Sequence, residues 1–127
     1  MEKRCITSQN APAAVGPYSH AVAAGGLLFA SGQIPLNPDG SGIVPGGIEE
    51  QTRRALDNLK LVLEDAGSSL EAVVKTTVYL SDMGNFAAFN SVYSTYFTED
   101  CPARVCVEAA RLPLDVQVEV DAVALLP

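Results

Sequence analysis

The chain has 127 residues, which is enough for one hydrophobic core but not for two. Apolar residues make up 48% of it and charged residues 18%, a composition typical of a globular domain and not of a disordered chain. The formal net charge is −7 and the eight basic residues are scattered, which argues against nucleic acid as the main partner. We therefore predict a single domain over residues 1–127.

The N-terminal residues and the cysteines indicate the cellular setting. Residues 1–7 contain no apolar stretch of the signal-peptide kind, and no apolar run approaches the ~18 residues that span a bilayer. Cys5, Cys101 and Cys106 are odd in number and lack CxxC spacing, which argues against a disulfide framework and against a zinc site. The sequence predicts a reduced, cytoplasmic protein that does not associate with membranes.

The first half of the chain predicts a hairpin, a loop and a long helix. Two apolar runs around a Gly-Gly pair in 22–30 are typical of a β-hairpin, and residues 31–33 end its second strand. Residues 35–42 are rich in turn formers and predict a loop. Apolar residues recur at helical spacing in 48–66, acidic residues occupy the first turn, and Gly67 follows the last, so we predict a helix there.

The second half predicts a strand over 74–80, a helix over 85–97, and closing strands over 103–107 and 116–121. In the strand we expect alternate side chains to be buried, namely Val74, Thr76, Val78 and Leu80. In the helix we expect an aromatic stripe to be buried, namely Phe86, Phe89, Tyr93 and Phe97. This order predicts an α+β fold, a mixed sheet with both helices packed on one face. Self-association would cover the other face.

Two oppositely charged residues stand out in the closing strands. Side chains alternate between the faces of a strand, so Arg104 and Cys106 share one face while Val105 and Val107 are expected to be buried on the other. Folded as an antiparallel hairpin, these strands bring Arg104 level with Glu119. A guanidinium suits a carboxylate held by two parallel hydrogen bonds, and a nearby glutamate can handle a water or a proton. The pair predicts a site for a small carboxylic acid, with a plain cross-strand ion pair as the alternative.

Cys106 and His20 each have a catalytic and a structural interpretation. We place Arg104 and Cys106 on the sheet face without helices, so that their site lies between subunits. The cation would lower the pKa of the Cys106 thiol and favour a nucleophile, whereas a buried cysteine usually acts as an apolar filler. His20 follows Ser19, but adjacent residues of an extended segment point apart, so a structural hydrogen bond is favoured over a Ser-His pair.

Four further residues are candidates for lining a pocket. Tyr18 offers an apolar wall with one polar group. Ser31 and Gly32 end a predicted strand, where a hydroxyl and a backbone N–H reach a ligand. Asn90 lies near the apolar stripe of the second helix, where it either caps a strand edge or contacts a ligand.

Several segments taken together resemble the RidA (YjgF) family of reactive-intermediate deaminases. They follow one another in the family's order and span nearly the whole chain, so their combination is specific although each alone is weak. The segments are 16–19 (GPYS), 31–35 (SGQIP), 44–52 (VPGGIEEQT), 74–80 (VKTTVYL), 102–104 (PAR) and 118–120 (VEV).

This resemblance implies a chorismate-mutase-like fold, assembled as a homotrimer with active sites between subunits. It implies hydrolysis of 2-iminobutanoate and 2-iminopropanoate, which come from PLP-dependent threonine and serine dehydratases, to 2-oxo acids and ammonia, without a metal or organic cofactor. Arg104 matches the arginine that holds the substrate carboxylate, Glu119 the glutamate beside the attacking water, and Cys106 a strand residue whose carbonyl faces the site. The other matching pocket positions are Tyr18, Ser31, Gly32 and Asn90.

Three alternatives belong to other functional classes. A non-catalytic sensor would bind small 2-oxo or amino acids through the same Arg104 cleft. A translation inhibitor or endoribonuclease would act on RNA, against which the net charge of −7 counts. A chaperone-like holdase would need an exposed apolar surface.

Overall fold

A computed structural model describes residues 2–127. Its elements are β1 (Arg4–Ile6), β2 (Ala21–Ala24), β3 (Leu27–Gln33), α1 (Ile48–Asp65), β4 (Val73–Leu80), α2 (Phe86–Tyr96), β5 (Ala103–Glu108) and β6 (Val118–Leu125). The strands form one sheet in the order β1-β2-β3-β6-β4-β5, in which β4 and β5 are parallel and the other pairs antiparallel. The predicted α+β fold with a mixed sheet is confirmed, although the short strand β1 was missed.

The ends of α1 follow the signals in the sequence. The Glu50 carboxylate accepts a hydrogen bond of 2.8 Å from the Gly47 N–H and caps the first turn. At the other end Gly67 has a φ of +89°, and the Ser68 N–H donates to the Leu63 carbonyl at 2.8 Å. This left-handed glycine ends the helix because it turns the chain back over the last carbonyls.

The core lies between the sheet and the two helices, which pack on the same face. Every second residue of β6 is buried against α1. Phe89 and Tyr93 of α2 are buried as predicted, and so is Phe97 directly after it, whereas Phe86 is only partly buried. The largest fully buried side chains are Leu28, Leu56, Leu59, Leu63, Leu80 and Phe89. Within residues 2–127 no helix is long and apolar enough to cross a bilayer.

The sheet face without helices, here called the open face, carries apolar side chains that the chain leaves uncovered. Val105 and Val107 on β5 are 44% and 41% exposed, and Phe29 on β3 is 45% exposed. The expectation that the two valines are buried within the chain is therefore wrong. Arg104 and Cys106 point to the other face, toward α2, so their predicted place on the open face is also wrong.

Strand β4 departs from the predicted alternation at its start. Its register against β6 shifts between Val73 and Lys75, which marks a bulge. As a result Val73 enters the core and Val74 is 42% exposed, contrary to expectation. The remaining three alternating positions of β4 are buried as predicted.

Candidate active site

Arg104 and Glu119 do not meet within one chain. β4 lies between β5 and β6, with Arg104 level with Thr76 and Glu119 level with Tyr79. Their Cα atoms are therefore about 14 Å apart, because they are offset by two strand spacings across the sheet and by three residues along the strands. Their side chains also leave opposite faces of the sheet. The predicted antiparallel hairpin is wrong because the connection from β5 to β6 passes over β4 and does not turn back on itself.

The Arg104 guanidinium is oriented by residues of α2. Its Nη1 donates to Oδ1 of Asn90 at 2.7 Å, and its Cζ lies 4.8 Å from the ring centroid of Tyr93 and 5.5 Å from that of Phe86. Among residues 2–127, Arg104 forms no ion pair with a carboxylate. The alternative of a plain cross-strand ion pair is therefore excluded, and a partly buried cation is left for an external anion.

One stripe of α2 supplies these contacts. Phe86, Asn90 and Tyr93 follow at spacings of four and three residues, so they lie on one side of the helix. Tyr93 is fixed in turn because its hydroxyl shares a hydrogen bond of 2.8 Å with Thr76 Oγ1. The aromatic stripe predicts the two aromatic residues only as part of the core. Their helical spacing around Asn90 was the signal that could have placed them at Arg104.

Cys106 lies two residues beyond Arg104 on the same face of β5. Its side chain packs against the core. Burial raises the pKa of the Cys106 thiol, and the lowering effect of Arg104 is the smaller of the two influences. The thiol is thus held in its protonated form, which argues against a nucleophilic role. Within the described residues Cys5, Cys101 and Cys106 are all free thiols.

Glu119 lies on the other side of the sheet, in a cleft of about 520 Å³ that Tyr18, Ser31 and Gly32 also line. Its carboxyl group crosses directly over Gly32. A Cβ added at Gly32 would lie 2.9 Å from Cδ and 3.2 Å from Cγ of Glu119. A side chain at position 32 would therefore displace the Glu119 carboxyl group from its observed place.

The protonation of Glu119 is shifted by its surroundings. Burial is the main cause that raises the pKa of this carboxyl group, and the negative charge of Asp121 on the same face of β6 adds to it. Asp121 in turn accepts a hydrogen bond of 3.3 Å from the Tyr79 hydroxyl. A raised carboxyl pKa suits a group that takes up and returns a proton near neutral pH.

His20 has a structural role, as favoured from the sequence. Its Nδ1 accepts from the Ser8 N–H at 3.0 Å and its Nε2 donates to the Pro12 carbonyl at 2.8 Å, so both ring nitrogens are occupied. Ser31 Oγ donates to the Ser19 carbonyl at 2.6 Å, which ties the end of β3 to the segment before β2. The structure forms no Ser-His pair at this position.

The rim of the Glu119 cleft contains residues that the sequence analysis missed. The Tyr18 ring is 49% exposed, and its hydroxyl accepts a hydrogen bond of 3.3 Å from the Val15 N–H. Val15 and Leu114 line the same cleft and are 80% and 68% exposed. No periodicity marks them, because Val15 lies in an irregular segment and Leu114 in a single 3₁₀ turn over Pro113–Asp115.

Each chain thus carries two groups of candidate residues on opposite faces of its sheet, here called half-sites. The cleft half-site brings together Tyr18, Ser31, Gly32 and Glu119. The helix-side half-site consists of Asn90, Arg104 and Cys106. Residues 2–127 contain no cluster of three His, Cys, Asp or Glu side chains arranged to hold a metal ion.

The sheet topology and the separated arginine and glutamate define a class of small α+β proteins, and comparison with known proteins identifies the family. The family model described as Endoribonuclease L-PSP matches residues 8–126. A RutC family protein of Pyrococcus abyssi is 52% identical over 124 residues, covering 98% of each chain. The 2-iminobutanoate/2-iminopropanoate deaminase of Escherichia coli is 46% identical, covering 96% of this chain and 97% of its own.

A solved structure agrees with these matches. The crystal structure of E. coli TdcF with bound serine superposes with a TM-score of 0.92 at 40% identity, covering 98% of this chain and 99% of that chain. The chain belongs to the RidA (YjgF) family, as its motifs predicted.

Proposed function

We propose that this protein hydrolyses small 2-imino acids, such as 2-iminobutanoate and 2-iminopropanoate, to 2-oxo acids and ammonia. The likeness to the E. coli deaminase, 46% identical over nearly the full length of both chains, supports this reaction. The observation that carries the proposal is the Arg104 guanidinium, which Asn90 orients and which no carboxylate of residues 2–127 neutralises. Such a cation suits the carboxylate of an imino acid.

The complete site requires two copies of the chain. The exposed apolar residues of the open face, Phe29, Val105 and Val107, support self-association, and Glu119 lies on that same face. We infer that Arg104 of one subunit reaches the Glu119 cleft of the next. The homotrimer that the family resemblance implies provides one such junction at each subunit boundary.

In this site the substrate is already reactive, because the carbon of a protonated imine is electrophilic. Arg104 holds the carboxylate, which places the imine carbon against a water molecule beside Glu119; orientation of this kind lowers the barrier by several kcal/mol. Glu119 accepts a proton as the water oxygen bonds to carbon and returns it to the amine nitrogen. The C–N bond then breaks and ammonia leaves. The hydroxyl oxygen becomes the carbonyl of the 2-oxo acid as its proton passes to Glu119, which releases that proton to the departing ammonia or to water.

The remaining pocket residues shape the site around these two groups. Tyr18 and Ser31 form its walls, and Gly32 leaves room for the Glu119 carboxylate. Asn90 fixes the guanidinium, and the backbone carbonyl of Cys106 is assigned to the water side of the site by family resemblance. No step of this chemistry uses a metal or an organic cofactor.

The test generates 2-iminobutanoate in place with threonine dehydratase and traps it with semicarbazide. The protein is expected to compete with the trap and to speed formation of 2-oxobutanoate. Arg104→Ala is expected to abolish this effect, whereas Arg53→Ala, which removes an exposed arginine from α1, keeps it. Failure of the wild-type protein to accelerate hydrolysis of either small imine would refute the proposal.

A non-catalytic binding role is the second candidate. The structure of E. coli TdcF with bound serine favours it, since that family member holds a small amino acid. Isothermal titration with 2-oxobutanoate and serine separates the two functions. Binding that depends on Arg104, without acceleration of imine hydrolysis, indicates a sensor.

A further inference from the structure

An exposed leucine lies at the mouth of the Glu119 cleft in an unfavourable backbone conformation. Leu114 has a φ of +56° and is 68% exposed. The left-handed region of backbone conformation is disfavoured for a leucine, and exposure of its apolar side chain to water is also unfavourable in free energy. Nothing in residues 2–127 covers this side chain enough to account for its position.

The turn that carries Leu114 is anchored on both sides. Leu112 and Val116 are 7% and 1% exposed, so the residues flanking the turn are buried in the core. Arg111 Nε and Nη2 donate to the two carboxylate oxygens of Asp115 at 2.6 and 3.1 Å across the turn. The structure thus presents Leu114 at a defined place.

Leu114 belongs to an apolar wall that faces the same cleft as Glu119. Val15, Ile34 and Leu36 also line this cleft. In the proposed reaction the substrate carboxylate is held by Arg104 of another subunit and the reacting carbon lies at Glu119. The substituent on that carbon then extends along the apolar wall.

We propose that Leu114 is a specificity-determining residue, which makes the protein favour 2-imino acids with longer aliphatic side chains over those with methyl or ethyl groups. This inference rests on the proposed deaminase function. In the single chain the cleft of about 520 Å³ has the size of an ordinary ligand pocket, and its apolar lining suits an aliphatic substituent. Such a side chain covers Leu114 and removes apolar surface from water on both sides of the contact.

The test compares two imines and three variants. L-amino-acid oxidase acting on leucine supplies 2-imino-4-methylpentanoate, and threonine dehydratase supplies 2-iminobutanoate. Leu114→Asn removes the apolar contact but tolerates the left-handed backbone, and Leu114→Met keeps an apolar side chain. Leu61→Asn is the matched control, a partly exposed leucine of α1 on the other side of the sheet that does not line the cleft.

The wild-type protein is expected to show the higher kcat/KM for the longer imine. Leu114→Asn should lower that value by about tenfold while changing the value for 2-iminobutanoate by less than about twofold, the range for a partial contact in an apolar pocket. Leu114→Met and Leu61→Asn should both retain the wild-type preference.

Two results would overturn the inference while leaving the deaminase function intact. One is a wild-type preference for 2-iminobutanoate. The other is a Leu114→Asn variant whose kcat/KM falls equally for both imines. If the mass of the assembly changes together with this equal fall, Leu114 belongs to a subunit contact. If the wild-type protein accelerates hydrolysis of neither imine, the proposed function itself fails.

Discussion

Replacement of Gly32 by alanine tests whether the position of the Glu119 carboxylate matters for catalysis. Gly32 does not have a positive φ, so its backbone accepts alanine without strain. The new Cβ would lie 2.9 Å from Cδ of Glu119, whereas ordinary contacts begin at about 3.4 Å. The carboxyl carbon must therefore move by at least about 0.5 Å, and the oxygen nearest to Gly32 by more.

The expected cost falls on catalysis and not on folding. A misplacement of about 1 Å can lower a rate by about a hundredfold, so a shift of 0.5 to 1 Å predicts a loss of roughly 10- to 100-fold in kcat/KM. This corresponds to about 1.4–2.7 kcal/mol of transition-state stabilisation. The free energy of unfolding should change little, because the group that moves is the end of a flexible side chain.

The assay is competition with semicarbazide for 2-iminobutanoate, run beside urea unfolding. Gly47→Ala is the matched control, since its added Cβ would meet only the Glu50 carboxylate at 3.9 Å, and it should keep wild-type kcat/KM. If Gly32→Ala shows full activity, the carboxylate of Glu119 does not need its observed position. The proposed role of Glu119 would then be refuted.

Two further predictions concern pH and stability. Burial is the main cause of the raised pKa of Glu119, and Asp121→Asn removes the negative charge that adds to it, so the acid limb of the kcat/KM profile should move to lower pH. In the wild type this limb should lie above the ordinary glutamate pKa of 4.5, and an unmoved limb would show that Glu119 does not titrate in catalysis. Asn58→Ala should destabilise by about 2–4 kcal/mol in urea unfolding, because the fully buried Asn58 amide donates to the Ile34 and Leu36 carbonyls at 3.0 and 2.8 Å. A loss below about 0.5 kcal/mol would mean that water replaces those bonds.

The local elements were predictable because their signals are local. The apolar spacing and the glycine after α1 locate that helix to within one residue, and the Gly-Gly turn between β2 and β3 identifies the hairpin. Strand order was not predictable in the same way. Whether β6 pairs with β5 or with β4 depends on contacts between residues far apart in the sequence, and periodicity carries no information on them.

The direction in which β5 faces was also beyond the reach of periodicity. Arg104 and Cys106 alternate with Val105 and Val107, and a period of two does not say which set lies inward. The valines face outward because the open face is apolar, while Arg104 is accommodated beneath α2 by two aromatic rings and an amide. The rule that apolar residues lie inside the chain fails where a surface is suited to a second copy.

Arg104 and Glu119 lie far apart within one chain. Both residues belong to motifs that lie close together in the sequence, yet they serve opposite faces of one sheet. Neither half-site has the groups to hold a carboxylate and activate water. The proposed activity would therefore depend on assembly, and we expect conditions that separate the subunits to abolish it.

Mixing two inactive variants tests the shared site most directly. Arg104→Ala and Glu119→Gln are each expected to be inactive toward 2-iminobutanoate. After the two are unfolded together in equal amounts and refolded, about a quarter of the junctions should combine an intact Arg104 with an intact Glu119 from the next subunit, and about a quarter of the wild-type activity should return. Mixed assemblies that remain at the background rate, although they form with wild-type mass, would contradict a site built from Arg104 and Glu119 of different subunits.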